Sequence, residues 1–143
     1  MSTGPTWVDW WKGAAPRFQA LLRMFAALGF MQAGAVKLFA FPVGIPPHGL
    51  PAPFLSQAWI GGFLEVFGGF FILVGFWTRP VAFILSGEMA VAYFQFHFPR
   101  GPWPSVNGGL AALVYCFVWL YFSSAGAGAW CIDEVLRSRK HTG

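Results

Sequence analysis

The run Ala58–Pro80, AWIGGFLEVFGGFFILVGFWTRP, is long enough to cross a bilayer and almost wholly apolar. Its interior carries one acid, Glu65. Its glycines fall in two heptad-spaced rows, Gly61–Gly68–Gly75 and Gly62–Gly69. On a helix these rows predict a smooth stripe where a partner helix approaches closely. Glu65 follows Gly61 by four residues and Gly62 by three, and precedes Gly68 by three and Gly69 by four. It therefore lies on the stripe and is expected to point at the partner helix, away from lipid.

The rest of the chain has the composition of a polytopic membrane protein. Over 143 residues, 57% are hydrophobic and only 10% charged, against roughly 25% charged in an ordinary globular chain. The net charge of +4 is scattered, and no basic stripe interleaves with aromatics outside the apolar spans, which argues against nucleic acid as a partner. The lipid bilayer is the expected one. Cys116 and Cys131 are 15 residues apart and no CxxC occurs, against a thiol–disulfide enzyme.

Four transmembrane spans are expected, at about 17–41, 58–77, 81–98 and 107–124, forming an all-α four-helix bundle over residues 17–125. Residues 1–16, with Trp7, Trp10 and Trp11, suit the headgroup layer as an interfacial segment. A disordered tail is the other reading of that stretch. A signal peptide ending at Ala33-Gly34-Ala35 competes with the first span. Pro42, Pro46, Pro47, Pro51 and Pro53 mark a loop that cannot be helical throughout. Residues 126–143 form a basic tail ending Arg137-Ser138-Arg139-Lys140. Lys12, Arg17, Arg79, Arg137, Arg139 and Lys140 fall on one side of the spans, while Arg100 and Lys37 fall on the other. The positive-inside rule then predicts that both termini are cytoplasmic.

Four ionisable residues sit within spans: Arg23, Lys37, Glu65 and Glu88. Counting helical rise from the expected span ends puts Arg23 and Glu88 near one level, and Lys37 and Glu65 near another. Because an unpaired charge in the bilayer is costly, two pairs are expected, Arg23–Glu88 and Lys37–Glu65. They are either glue between helices or the lining of a small polar cavity for a proton, a quinone head group or another ligand. His97 and Asn107 flank the outer loop and are candidates for the mouth of such a site. Gly61, Gly62, Gly68, Gly69, Gly75 and Gly108 are expected to pack helices. His48, His97 and His141 lack ligand spacing, so no metal site is expected.

Several motifs together resemble the DoxX family. They are Gly62-Phe63-Leu64-Glu65-Val66-Phe67-Gly68-Gly69 closed by Gly75-Phe76-Trp77-Thr78-Arg79; Arg23 with Gly34 and Lys37-Leu38; Asn107-Gly108-Gly109 followed by Tyr115; and Gly126-Ala127-Gly128-Ala129-Trp130-Cys131-Ile132-Asp133. The resemblance covers Arg17 to Asp133. Two positions depart from the family pattern: Leu110, where an acid often follows Asn-Gly-Gly, and Cys131, where the closing run has Ser.

The resemblance implies a four-helix membrane bundle in the bacterial cytoplasmic (inner) membrane. It also implies a link to thiosulfate:quinone oxidoreductase and related membrane assemblies. The function expected on this basis is a small integral subunit of a quinone-linked oxidoreductase assembly. It would have other membrane subunits as partners, no cofactor of its own, and a quinone as the candidate bound group. A purely structural subunit of a respiratory or photosynthetic complex is the alternative. A small-solute transporter ranks third, because no span is visibly broken in its middle.

Overall fold

The structure is a computed structural model that describes residues 6–140. Its described residues form helices and connecting loops without a β-strand; one isolated bridge joins Ile45 and Leu50. Helix α1 runs Trp7–Phe39, so the expected interfacial segment is the first part of the same helix as the first span. A capping box starts it: the Thr6 hydroxyl accepts from the Asp9 amide, and the Asp9 carboxylate accepts from the Thr6 amide. Ala40, with φ 52°, ends it in the left-handed region. The proline-rich loop is tied back to α1 by the Ala52 amide, which donates to the Lys37 carbonyl at 2.7 Å.

Helix α2, Gln57–Val74, is capped by the Ser56 hydroxyl, which accepts from the Trp59 amide. It contains one π-helical turn, Leu64–Gly68. Helix α3, Thr78–Arg100, carries a second π-helical turn at Tyr93–His97 and tightens to a 3₁₀ turn over Phe98–Arg100. After a short helical turn at Pro104–Asn107 come α4, Leu110–Ala125, and α5, Ile132–Lys140.

α1, α2 and α3 are long and apolar enough to cross a membrane, while α4 is apolar but has 16 residues. At 1.5 Å per residue α4 spans about 24 Å, short of a hydrocarbon core of ~30 Å. Apolar side chains such as Phe25, Phe70, Phe83 and Phe117 point outward, as lipid-facing surfaces do. This is a membrane protein.

Packing is most extensive between α1 and α2 and next between α3 and α4. The two pairs close over Phe30, Ile72, Leu85, Trp119 and Phe122, all buried. Phe30 meets Trp119 edge-on with ring centroids 5.2 Å apart.

The glycine rows turn out to face two different helices. Gly62 and Gly69 face α1: a Cβ on Gly62 would lie 2.8 Å from Lys37 Cβ, and one on Gly69 would lie 2.6 Å from Met31 Cγ. Gly61 and Gly68 face α3, where the same construction meets Glu88 and Leu85. The single stripe expected from spacing is thus two adjacent stripes, one per neighbour. Two glycines expected to pack helices do something else. Gly75 (φ +68°) and Gly108 (φ +74°) sit in left-handed turns, closing α2 and leading into α4.

Candidate functional site: a shared-charge cluster between three helices

At one end of the bundle, α1, α2 and α3 bring Lys37, Glu65 and Glu88 together. Lys37 Nζ donates to Glu65 Oε1 at 2.6 Å. Glu65 is 3% exposed and faces α1, because its Cβ lies 2.9 Å from the position of a Gly34 side chain. The absence of a side chain at Gly34 is what lets the acid in.

Glu88 arrives from α3 over the bare surface of Gly61. Its Oε1 lies 3.2 Å, and Lys37 Nζ 4.0 Å, from the point a Gly61 side chain would occupy. Glu88 is near enough to feel the charges of both Glu65 and Lys37. Glu88 and the Lys37 ammonium thus flank the same point over Gly61, while the ion pair itself is made by Glu65. Glu65 Oε2 and Glu88 Oε2 are both buried without a hydrogen-bond partner.

The surroundings of the cluster are partly polar. Gln57, one turn before Gly61 on α2, donates from its side-chain amide to that of Gln95, two turns beyond Glu88 on α3. From α4, Tyr115 packs on Phe30 and lies close enough to feel the charge of Glu65. Glu65 lies within the π-helical turn of α2 and Gln95 within that of α3. Such turns re-aim side chains and are frequent at functional sites.

The expected Arg23–Glu88 pair is not formed. Arg23, 0% exposed, donates from Nη1 to the carbonyls of Ile72 and Leu73, and from Nη2 to those of Ala129 and Trp130. The physical reason is local. The end of α2 and the loop after α4 offer four carbonyls with partial negative charge, of which Ile72 O also accepts from the Gly75 amide. Glu88 lies further along α3, beside Gly61, because that helix begins at Thr78 and the acid is near its middle. Arg23 is a clamp joining α1, the end of α2 and the closing loop.

That loop explains the closing motif. Gly126 and Gly128 adopt positive φ, and a Cβ on Gly128 would lie 2.8 Å from the Pro16 carbonyl. The same Pro16 carbonyl accepts from the Ala129 amide at 3.0 Å. Asp133 then caps α3, its carboxylate accepting from the amides of Trp77 at 2.9 Å and Thr78 at 3.1 Å. The sequence shows Asp133 only as the end of the closing motif, not as a helix cap, and does not single out Gln57. The four-residue spacing of Gln57 from Gly61 is the signal that could have found it.

His97 and Asn107 do meet, with His97 Nδ1 3.3 Å from the Asn107 carbonyl oxygen. The Asn107 side chain is committed to its own loop. Its amide nitrogen donates to Gly101 O at 2.8 Å, and its oxygen accepts from the Gly109 amide at 2.7 Å. It is 4% exposed and holds the turn into α4 in shape. His141 lies outside the described residues. Among those residues no group of three or more His, Cys, Asp or Glu is placed to hold a metal ion.

Comparison with known proteins meets the same residues. The DoxX family model matches residues 18–98, the stretch that holds Arg23, Lys37, Glu65 and Glu88. An uncharacterized protein of Haemophilus influenzae is 39% identical over 122 residues, in an alignment that covers 83% of this chain and 90% of that protein. No solved structure matches. With more than half its length matched by the family model, and a relative 39% identical over 83% of the chain, this chain belongs to the DoxX family.

Proposed function

We propose that the chain is a small integral subunit of a quinone-linked oxidoreductase assembly in the bacterial cytoplasmic membrane, with no redox centre of its own. In this reading it crosses the bilayer four times, with both termini in the cytoplasm. The observation that carries the proposal is the Lys37–Glu65–Glu88 cluster, with buried acceptor atoms that no protein group meets.

The residues present suit a quinone head group. A quinone carbonyl needs a hydrogen-bond donor that can be reached from the bilayer. The Lys37 side chain is 31% exposed and carries donors besides the one given to Glu65. The outward aromatic surface suits both lipid and neighbouring subunits.

A purely structural subunit is the second reading. It is favoured by the Arg23 clamp and the Lys37–Glu65 ion pair, both of which tie helices together.

Gentle extraction from native membrane, followed by mass spectrometry of the intact assembly and its bound lipids, separates the two readings. Stoichiometric quinone that is lost in Lys37→Met with the assembly intact supports the quinone-linked subunit. A ligand-free complex held together by this chain supports the structural one.

A further inference from the structure

The cluster is one positive charge short of neutral when both acids are ionised: Lys37 is paired with Glu65, and Glu88 beside Gly61 has no cation paired with it. Water is kept from Glu65 Oε2 and Glu88 Oε2, and neither has a protein partner. Buried carboxylate oxygens without donors are rare, and each calls for an explanation. Every element packed around the site contributes: Lys37 from α1, Glu65 from α2, Glu88 from α3 and Tyr115 from α4. Beyond them, Gln57 and Gln95 are neutral amides, and His97 is engaged with the Asn107 carbonyl. Arg23, the remaining buried cation of α1, is held by four carbonyls away from the cluster.

We infer that Glu65 and Glu88 together hold one exchangeable proton, and that the cluster is a proton-binding site inside the membrane domain. A proton is the occupant the geometry accommodates. It needs no cavity, it supplies the missing donor to an oxygen that water cannot reach, and it brings the group to neutrality. A metal cation would need several oxygen ligands and would sit beside the Lys37 ammonium, which repels it. The site gains or loses its proton without any change of oxidation state, so it stands whether or not a quinone is met there. Protonation of a carboxyl in the cluster would also loosen the hold on Lys37, coupling the proton to the ion pair between α1 and α2.

The test is infrared difference spectroscopy of the full chain in lipid nanodiscs, stepped in pH and repeated in heavy water. The expected result is a protonated-carboxyl stretch that appears and disappears with pH and shifts in heavy water. Glu88→Gln should abolish it, while Glu134→Gln, an exposed acid on α5, should leave it unchanged. Glu65→Gln should abolish it as well. If that variant fails to fold, Glu88→Gln, whose carboxylate makes no hydrogen bond in the structure, still decides the matter. Absence of such a band at every pH where the protein stays folded overturns the proposal. So does a band that survives Glu88→Gln, or one that sodium removes at constant pH.

Discussion

Lys37 Nζ and Glu65 Oε1 are 2.6 Å apart, joining α1 to α2 across the gap left by Gly34 and Gly62. Glu65 is almost fully buried, so removing its partner leaves an uncompensated charge, a loss of about 3–5 kcal/mol. Removing both charges leaves no broken ion pair between α1 and α2, with Glu88 the remaining acid beside Gly61. Lys37→Met is therefore expected to lower the unfolding temperature in detergent clearly, and Lys37→Met with Glu65→Leu to recover most of the loss. A double-mutant cycle on thermal unfolding measures the coupling. Additive losses would mean that the ion pair carries no interaction energy.

Arg23 holds the closing loop against the end of α2 through four carbonyls. Arg23→Gln cannot reach both pairs and strands buried acceptors, at about 1–3 kcal/mol for each. The local readout is Cys131, which is buried and whose Cβ lies beside Gly75. In a Cys116→Ser background, Cys131 is expected to resist a maleimide in the parent and to react in Arg23→Gln. Equal labelling in both would show that the loop stays docked without the clamp.

Lys37 and Glu65 could be matched from the sequence because both positions follow from helical spacing near one end of two adjacent spans. Arg23 and Glu88 could not. Matching charges by depth assumes that a buried charge seeks another charge, whereas Arg23 found helix-end carbonyls, which no residue letter displays. The division of the glycines between two neighbours was hidden for a related reason. Adjacent positions such as Gly61 and Gly62 point about 100° apart, and only the packing decides which helix each one meets. The π-helical turns around Glu65 and Gln95 leave no periodic pattern in the residues.

Asp133 caps a helix from the far end of the chain, accepting from the amides of Trp77, just before α3, and Thr78, its first residue. Asp133→Ala is expected to destabilise by about 1 kcal/mol, the usual effect of losing a capping side chain. Asp133→Asn should lose less, because its amide oxygen still accepts. Hydrogen exchange at the Trp77 and Thr78 amides checks the mechanism directly. Protection should fall in the alanine variant while amides in the middle of α3 are unchanged. Uniform loss along α3 would mean that Asp133 acts on the whole bundle.

The glycines differ in what an added methyl group would meet, and alanine substitution should rank them accordingly. Gly75 sits at φ +68°, and a Cβ there would fall 2.3 Å from both Arg23 Nη1 and Cys131 Cβ. The left-handed backbone alone costs an alanine about 1–2 kcal/mol, and the clash adds to it by displacing the Arg23 clamp. At Gly34 the obstacle is the Gly62 backbone carbonyl, 2.7 Å away, which cannot move without parting α1 from α2. At Gly69 the obstacle is the Met31 side chain, which has rotamers to yield. Gly87 is helical with nothing within 4 Å, so a methyl group there meets no atom of the chain. Thermal unfolding of the four alanine variants is expected to show large losses at Gly75 and Gly34, a smaller one at Gly69 and none at Gly87. A loss at Gly87 as large as that at Gly34 would mean that α3 is covered there by another protein surface, since nothing within the chain resists the change.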